Sequence, residues 1–304
     1  MSITYRKGRP EDNFATFGIF QQAMMDFSSR AGVLTITGGQ SPEQIAKAWE
    51  RRVSLWEHLA NTCDQFWIAE EDGKPIGYAR SIVRGDLREL TEYFVLPGYQ
   101  TAGVGKGLLE RAFPSHGATH RAIIATSDFR ALARYLKSGV YPYVTELYVE
   151  RVPERVRVDS DLEFVPMDSS EGALQTTGEI DAAILGHRRD VDHAWLMKER
   201  TGYFYRRAGK VVGYGYIHKD FYGPFAAQND KDFPVILAHA ETQALELGSD
   251  RVGFELPLIN RVATDYLMRR GYRLEGFFGS VMSDQPFGKF ENYILTTVHS
   301  LKNF

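Results

Sequence analysis

Apolar and polar positions along this chain repeat one arrangement twice. Aromatic and aliphatic runs at Phe66–Ile68 and Tyr203–Tyr205 each lead into a short polar turn carrying glycine and then into a second apolar run, which predicts two β-hairpins. The second strands are near copies. Gly73–Ala79 reads Gly-Lys-Pro-Ile-Gly-Tyr-Ala, and Gly209–Gly215 reads Gly-Lys-Val-Val-Gly-Tyr-Gly. Downstream, the helical stretch Asp128–Gly139 is echoed by Asn260–Gly271, and the interval from Gly77 to Gly139 is close to that from Gly213 to Gly271. Two related units follow each other along the chain.

Each half opens with a short strand, Ile3–Arg6 or Leu162–Val165, that runs through a polar turn into a helix. In the first half a second helix starts at Ser41, which can cap the orphan N–H groups, with Pro42 in the first turn and Gln44 completing a capping box. Ile45, Ala48, Trp49, Val53, Trp56 and Leu59 then recur at helical spacing and predict one helix near 42–62. Strand, helices, antiparallel strands, helix, strand, helix, strand is an α+β pattern, expected here as a mixed, largely antiparallel twisted sheet flanked by helices in each unit. The charged stretch 151–160, with one proline and few large residues, reads as a linker between units at 1–150 and 161–304.

The length of 304 residues lets two units bury their own cores. With 36 Lys and Arg against 39 Asp and Glu, no broad basic field exists, and nucleic acid is not expected as a partner. A lone Cys63 excludes a disulfide framework and a cysteine zinc cluster. The histidines show ligand-like spacing only at His116 and His120, read as loop residues, so no metal is expected. No apolar run reaches membrane-span length and the first residues are polar, which predicts a cytoplasmic protein without membrane association. Oligomeric state does not follow from the sequence.

Chemistry concentrates in Glu89–Phe113, read as a strand, a turn at Pro97-Gly98, a loop with Gly103, Gly105 and Gly107, and an amphipathic helix. Such glycines let a ligand approach the backbone, while the helix start offers free N–H groups and a positive dipole end suited to phosphate. Packing at a helix entry needs small residues too, and that reading stays open. A Walker loop is excluded, because no Gly-Lys-Ser/Thr follows at the required spacing. Leu108 stands where a dinucleotide fingerprint needs its third glycine.

These residues resemble the GNAT superfamily of acyl-CoA-dependent N-acyltransferases. The likeness rests on Glu89-Leu90 followed by Val95-x-Pro97, then Gln100-x-x-Gly103-x-Gly105, and on Asp128-x-x-Ala131-x-x-x-Tyr135-x-x-x-Gly139, where the family usually opens with Asn. It covers most of residues 1–150. The second half resembles the same fold over roughly 160–304, so the whole looks like a tandem GNAT protein.

The resemblance implies acetyl-CoA as co-substrate and transfer of an acetyl or other short acyl group to a primary amine of a small molecule or peptide. Backbone N–H groups of Gln100, Thr101, Ala102, Gly103, Val104, Gly105 and Lys106 would hold the pyrophosphate, Phe94 and Val95 would pair with the pantetheine arm, and Asp128 and Ala131 would lie beside it. An ionised Asp128 cannot offer the amide donor of the family's Asn. Direct attack by an amine needs a base, a donor for the oxyanion and a proton for the departing thiolate. Tyr135 falls at the family's thiolate-facing tyrosine, and aromatic packing is its plain alternative. Glu89 and Glu92 compete for the base, with Glu89 at the position where many family members carry one. Strand alternation puts the two on opposite faces unless a β-bulge intervenes, and solvated strand-edge charges are the alternative for both.

In the second half Tyr222–Gln228 stands in place of the glycine-rich loop, and Leu267 in place of Tyr135. That half is expected to be structural or to shape the acceptor site. A different class of function, a non-catalytic acyl-CoA-binding or scaffolding protein, would not need Glu89, Gly103, Gly105 and Tyr135 together.

Overall fold

In a computed structural model, which describes residues 2–32, 41–100, 103–274, 276 and 278–297, the chain folds as two units. Among the described residues the first comprises those up to Tyr141 together with Met282–Gln285, and the second Pro142–Val281 with 286–297. Among the described residues no helix is long and apolar enough to cross a membrane.

The first unit runs β1 (Ile3–Lys7), α1 (Asn13–Ala31), α2 (Pro42–Glu50), α3 (Val53–Thr62), β2 (Gln65–Glu71), β3 (Lys74–Arg84), β4 (Leu87–Val95), α4 (Val104–Ala112), β5 (His120–Thr126) and α5 (Phe129–Lys137). Neighbouring strands follow chain order from β1 to β5, antiparallel as far as β4. The β4–β5 pair is parallel, as the crossover through α4 requires. Ser41 caps α2 by accepting from the Gln44 N–H, while the Gln44 side chain accepts from the Ser41 N–H. The single helix expected over 42–62 is instead two, because the Arg52 N–H bonds back only three residues, to Trp49. With that break, Trp49 and Trp56 both bring their rings within 5.3 Å of Phe17 on α1.

One face of this sheet carries α4, whose Val104, Leu108 and Ala112 pack on Ala69, Ala79 and Leu90. Each such fully buried leucine contributes roughly 1.5–3 kcal/mol. The other face carries α1, with Phe20 against Phe94 at 5.1 Å. Met282, from the far end of the chain, completes the first core, and Asp284 accepts hydrogen bonds from the backbone and the side chain of Arg121.

The second unit runs β6 (Tyr141–Arg151), β7 (Glu163–Pro166), α6 (Glu171–Ile184), α7 (Asp190–Glu199), β8 (Thr201–Arg207), β9 (Lys210–Ile217), β10 (Tyr222–Ala227), α8 (Phe233–Glu246), β11 (Val252–Pro257), α9 (Arg261–Arg269), β12 (Arg273–Leu274), β13 (Gly279–Ser283, its last two residues counted with the first unit) and β14 (Tyr293–Ile294). A five-stranded antiparallel sheet has the order β14-β10-β9-β8-β7, and β6 pairs antiparallel with β11 and with β12. Residues 152–160 carry no helix or strand, and the N–H groups of Glu154 and Val156 bond to the side chains of Glu241 and Thr242.

The two repeated hairpins share more than letters. Asp72 and Gly73 have φ of 49° and 76°, Ala208 and Gly209 of 48° and 77°, the doubly positive turn that matches strand twist. Beyond each turn the register slips at the same place, between Ala69 and Glu70 and between Tyr205 and Arg206. A Cβ on Gly77 would lie 3.0 Å from the Phe94 carbonyl oxygen, and one on Gly213 would lie 2.5 Å from that of Ala226. The repeated glycine is thus a strand-to-strand contact too close for a side chain.

Burial gives the second unit an acid sensitivity. His239 stacks on Phe164 at 4.1 Å, and burial pushes His187 and His239 down to about 4 from 6.5. An unfolded chain takes up these protons near 6.5 and the folded one only near 4, so stability falls as pH drops through that window. We expect the unfolding midpoint to decline between pH 7 and 5.5 and His239→Phe to reduce the decline. An unchanged slope in that variant would remove His239 from the account.

Candidate active site

The parallel pairing of β4 with β5 begins at Leu87 opposite His120 and ends at Leu90 opposite Ile123. Beyond that point the strands part. On its other side β4 pairs with β3 through a bulge: Arg80 faces Glu92 and Ser81 faces Leu90, leaving Thr91 as the extra residue, with its hydroxyl donating to the Arg80 carbonyl at 3.1 Å. Tyr78, Arg80 and Ile82 alternate onto one face of β3, so their partners Phe94, Glu92 and Glu89 share that face. The two candidate carboxylates therefore lie on the same side of the sheet.

A cavity of about 140 Å³ occupies the parting. Thr91, Phe94 and Val95 line it from β4, Ile124 and Thr126 from β5, and Met24 and Phe27 from α1. Gln100, Gly105, Asp128, Ala131 and Tyr135 also border it, which brings together most of the coenzyme and acid candidates. Thr101 and Ala102 lie outside the described residues. Gly103 sits at φ 79° just before α4, and the first intrahelical bond runs from the Gly107 N–H to its carbonyl. The N–H groups of Val104, Gly105 and Lys106 precede that bond and are free of the helical ladder. A Cβ on Gly105 would lie 2.4 Å from the Tyr93 hydroxyl, so packing and close approach both require glycine there.

Tyr135 is buried, its ring 5.9 Å from that of Tyr93, and burial together with Tyr93 and Asp128 pushes its phenol well above the usual range. It therefore stays protonated through the neutral range. Asp128 caps α5 by accepting from the Arg130 N–H at 2.9 Å, and its carboxylate also meets Arg30 at 2.8 Å. Burial works to raise this carboxyl, but the hydrogen bonds from Arg130 and Arg30 hold it below the ordinary carboxylate range. Its place in the site is that of a cap and ion-pair partner.

Glu89 and Glu92 are 2% and 1% exposed, and neither borders the cavity. Burial pushes the Glu92 carboxyl up against the pull of Arg80, whose guanidinium lies 3.0 Å away. The sequence reading did not single out Arg30, Arg130, Arg134 or Thr91. For two of them a signal existed: Arg130, Arg134 and Lys137 recur at helical spacing and with Lys106 line a groove of about 720 Å³ between α4 and α5. Thr91 carries no such mark.

In the second unit, the residues that repeat Tyr78 and Arg80 are Tyr214 and Tyr216. They enter a buried network around Asp181 of α6. Asp181 accepts from Arg189 at 2.7 Å and from the Tyr214 hydroxyl, and lies 2.8 Å from His193, whose other ring nitrogen is 2.9 Å from the Tyr216 hydroxyl. Leu267, where the first unit has Tyr135, is fully buried in core, and β10 leads through a short turn at Asp230–Asp232 straight into α8.

Residues 31–140 match the model of the acetyltransferase (GNAT) family. A crystallised protein from Pyrococcus horikoshii is 15% identical over 96% of this chain and 92% of its own, with a TM-score of 0.70. A GCN5-related N-acetyltransferase from Sphaerobacter thermophilus is 13% identical over 94% and 96%, with a TM-score of 0.61. A tandem GNAT protein from the clavulanic acid biosynthesis pathway is 12% identical over 94% and 99%, with a TM-score of 0.56. At these identities the likeness is one of fold. No curated protein matches the sequence. The family match thus lies in residues 31–140, inside the first unit, while the likeness of fold to GNAT acetyltransferases runs over nearly the whole chain.

Proposed function

We propose that the first unit transfers an acetyl or other short acyl group from coenzyme A to a primary amine of a small molecule or peptide. The observation that carries this reading is the cavity at the β4–β5 parting, bordered at once by Tyr135, Gly105 and the outer edge of β4. The pyrophosphate would rest on the N–H groups of Val104, Gly105 and Lys106, with Arg130, Arg134 and Lys137 supplying positive charge beside it. The pantetheine arm would run along Phe94 and Val95, aiming the thioester at the bulge. Tyr135 would protonate the departing thiolate. An ordered water, with Glu89 as the nearer carboxylate candidate by resemblance, would take the amine's proton, since the Glu92 carboxylate is already paired with Arg80.

The second unit, without the loop and with Leu267 in place of the acid, would serve packing. Titration of the whole chain with acetyl-CoA should therefore give one site per chain. Gly103→Val, which forces a β-branched residue into a left-handed conformation at the start of α4, should abolish it. Unaltered affinity in that folded variant, or two equivalent sites in the parent, would sink the reading. Thiol release with acetyl-CoA and a panel of amines, amino acids and peptides then identifies the acceptor.

A further inference from the structure

Glu92 follows the bulge residue directly, and its surroundings are built with more care than a base requires. One carboxylate oxygen is in ion-pair contact with Arg80 at 3.0 Å, and the other accepts from the Tyr78 hydroxyl at 2.9 Å. Arg80 is wholly buried. Its guanidinium also donates to the Asn13 side chain at 2.9 Å, at the start of α1, and to the Trp56 carbonyl at 3.3 Å in α3, and it lies over the Phe66 ring at 4.1 Å. One cation thus ties β2, α1 and α3 to the strand that borders the cavity.

We propose that Arg80, Glu92 and Tyr78 form a strut that fixes the bulge at Thr91, and that Glu92 is a positioning residue for acyl transfer and not its base. The inference rests on the acyl-transfer reading above. A bulge leaves β4 free to slip by one residue, and a slip moves every later side chain to the opposite face. In this strand the slip would carry Glu92 away from Arg80 into the apolar core around Leu108 and Ala79, where an unpaired carboxylate is strongly disfavoured. The charge pair therefore holds the register of Tyr93, Phe94 and Val95, all of which border the cavity. Because a misplacement of about 1 Å can cost roughly 100-fold in rate, a register device here acts on turnover more than on coenzyme affinity.

The test uses the whole chain, with turnover read as thiol release from acetyl-CoA with the best amine or, lacking one, with water. Glu92→Gln should lower kcat by about 10–100-fold, leave acetyl-CoA affinity within about threefold and keep the acidic limb of the pH–rate profile. The double variant Arg80→Met with Glu92→Leu replaces the pair by apolar groups of similar length, so its thermal midpoint should recover while kcat stays low. Loss of the acidic limb in Glu92→Gln would make Glu92 the base and overturn the strut. Recovery of kcat along with stability in the double variant would reduce the cluster to ordinary packing. Failure of the parent chain to bind acetyl-CoA would fail the acyl-transfer reading itself, before any variant is compared, and the strut with it.

Discussion

Tyr135→Phe is expected to lower kcat by about 100-fold with acetyl-CoA affinity nearly intact, the scale a general acid contributes. The change removes one oxygen from a ring already packed 5.9 Å from Tyr93, so the fold has little reason to respond. Burial keeps the phenol protonated across any practical assay range, and a pH–rate profile should show no limb from its ionisation. Full turnover in the variant would return Tyr135 to the role of a packed aromatic. Leu267 makes the control within the same chain: it fills the repeated position with no proton to give.

Asp181→Ala should destabilise the protein by about 3–5 kcal/mol, the cost of breaking a buried ion pair from one side. The variant leaves the Arg189 guanidinium, 2% exposed, without its carboxylate and takes an acceptor from both His193 and Tyr214. Burial alone would raise the Asp181 carboxyl, yet Arg189 and His193 hold it far below the ordinary range, so the charged form is the one the fold depends on. Denaturant titration measures the loss. A change under about 1 kcal/mol would mean that the network relaxes around the gap. Since this network lies in the second unit, turnover per folded molecule should stay at the parent level.

What the sequence made legible followed local rules. The paired hairpins, the Ser41 capping box and the Gly103–Gly105 helix entry all depend on near neighbours in the chain, and all are present. The break between α2 and α3 was not legible. Arg51 and Arg52 carry no glycine or proline, and the apolar positions on either side keep helical spacing across them. The shared face of Glu89 and Glu92 was legible only as a condition, since a bulge at Thr91 leaves an ordinary strand residue in the sequence. Long-range partners were hidden most completely. Nothing near Arg80 points to Asn13, and nothing near Arg121 points to Asp284.

The contribution of Met282 and Asp284 to the first unit has a consequence for how the protein is made. Synthesis at ~5–20 residues per second takes roughly 7–30 s to travel from Tyr141 to Gln285. During that interval the nascent first unit lacks the methionine that closes its core, and Arg121 lacks its carboxylate. The motif-bearing part of the chain emerges from the ribosome before the segment that completes it, a period in which a chaperone can hold it. For the same reason a premature stop before codon 282 would strip the first unit of its last segment while sparing every residue of the acyl-CoA motif.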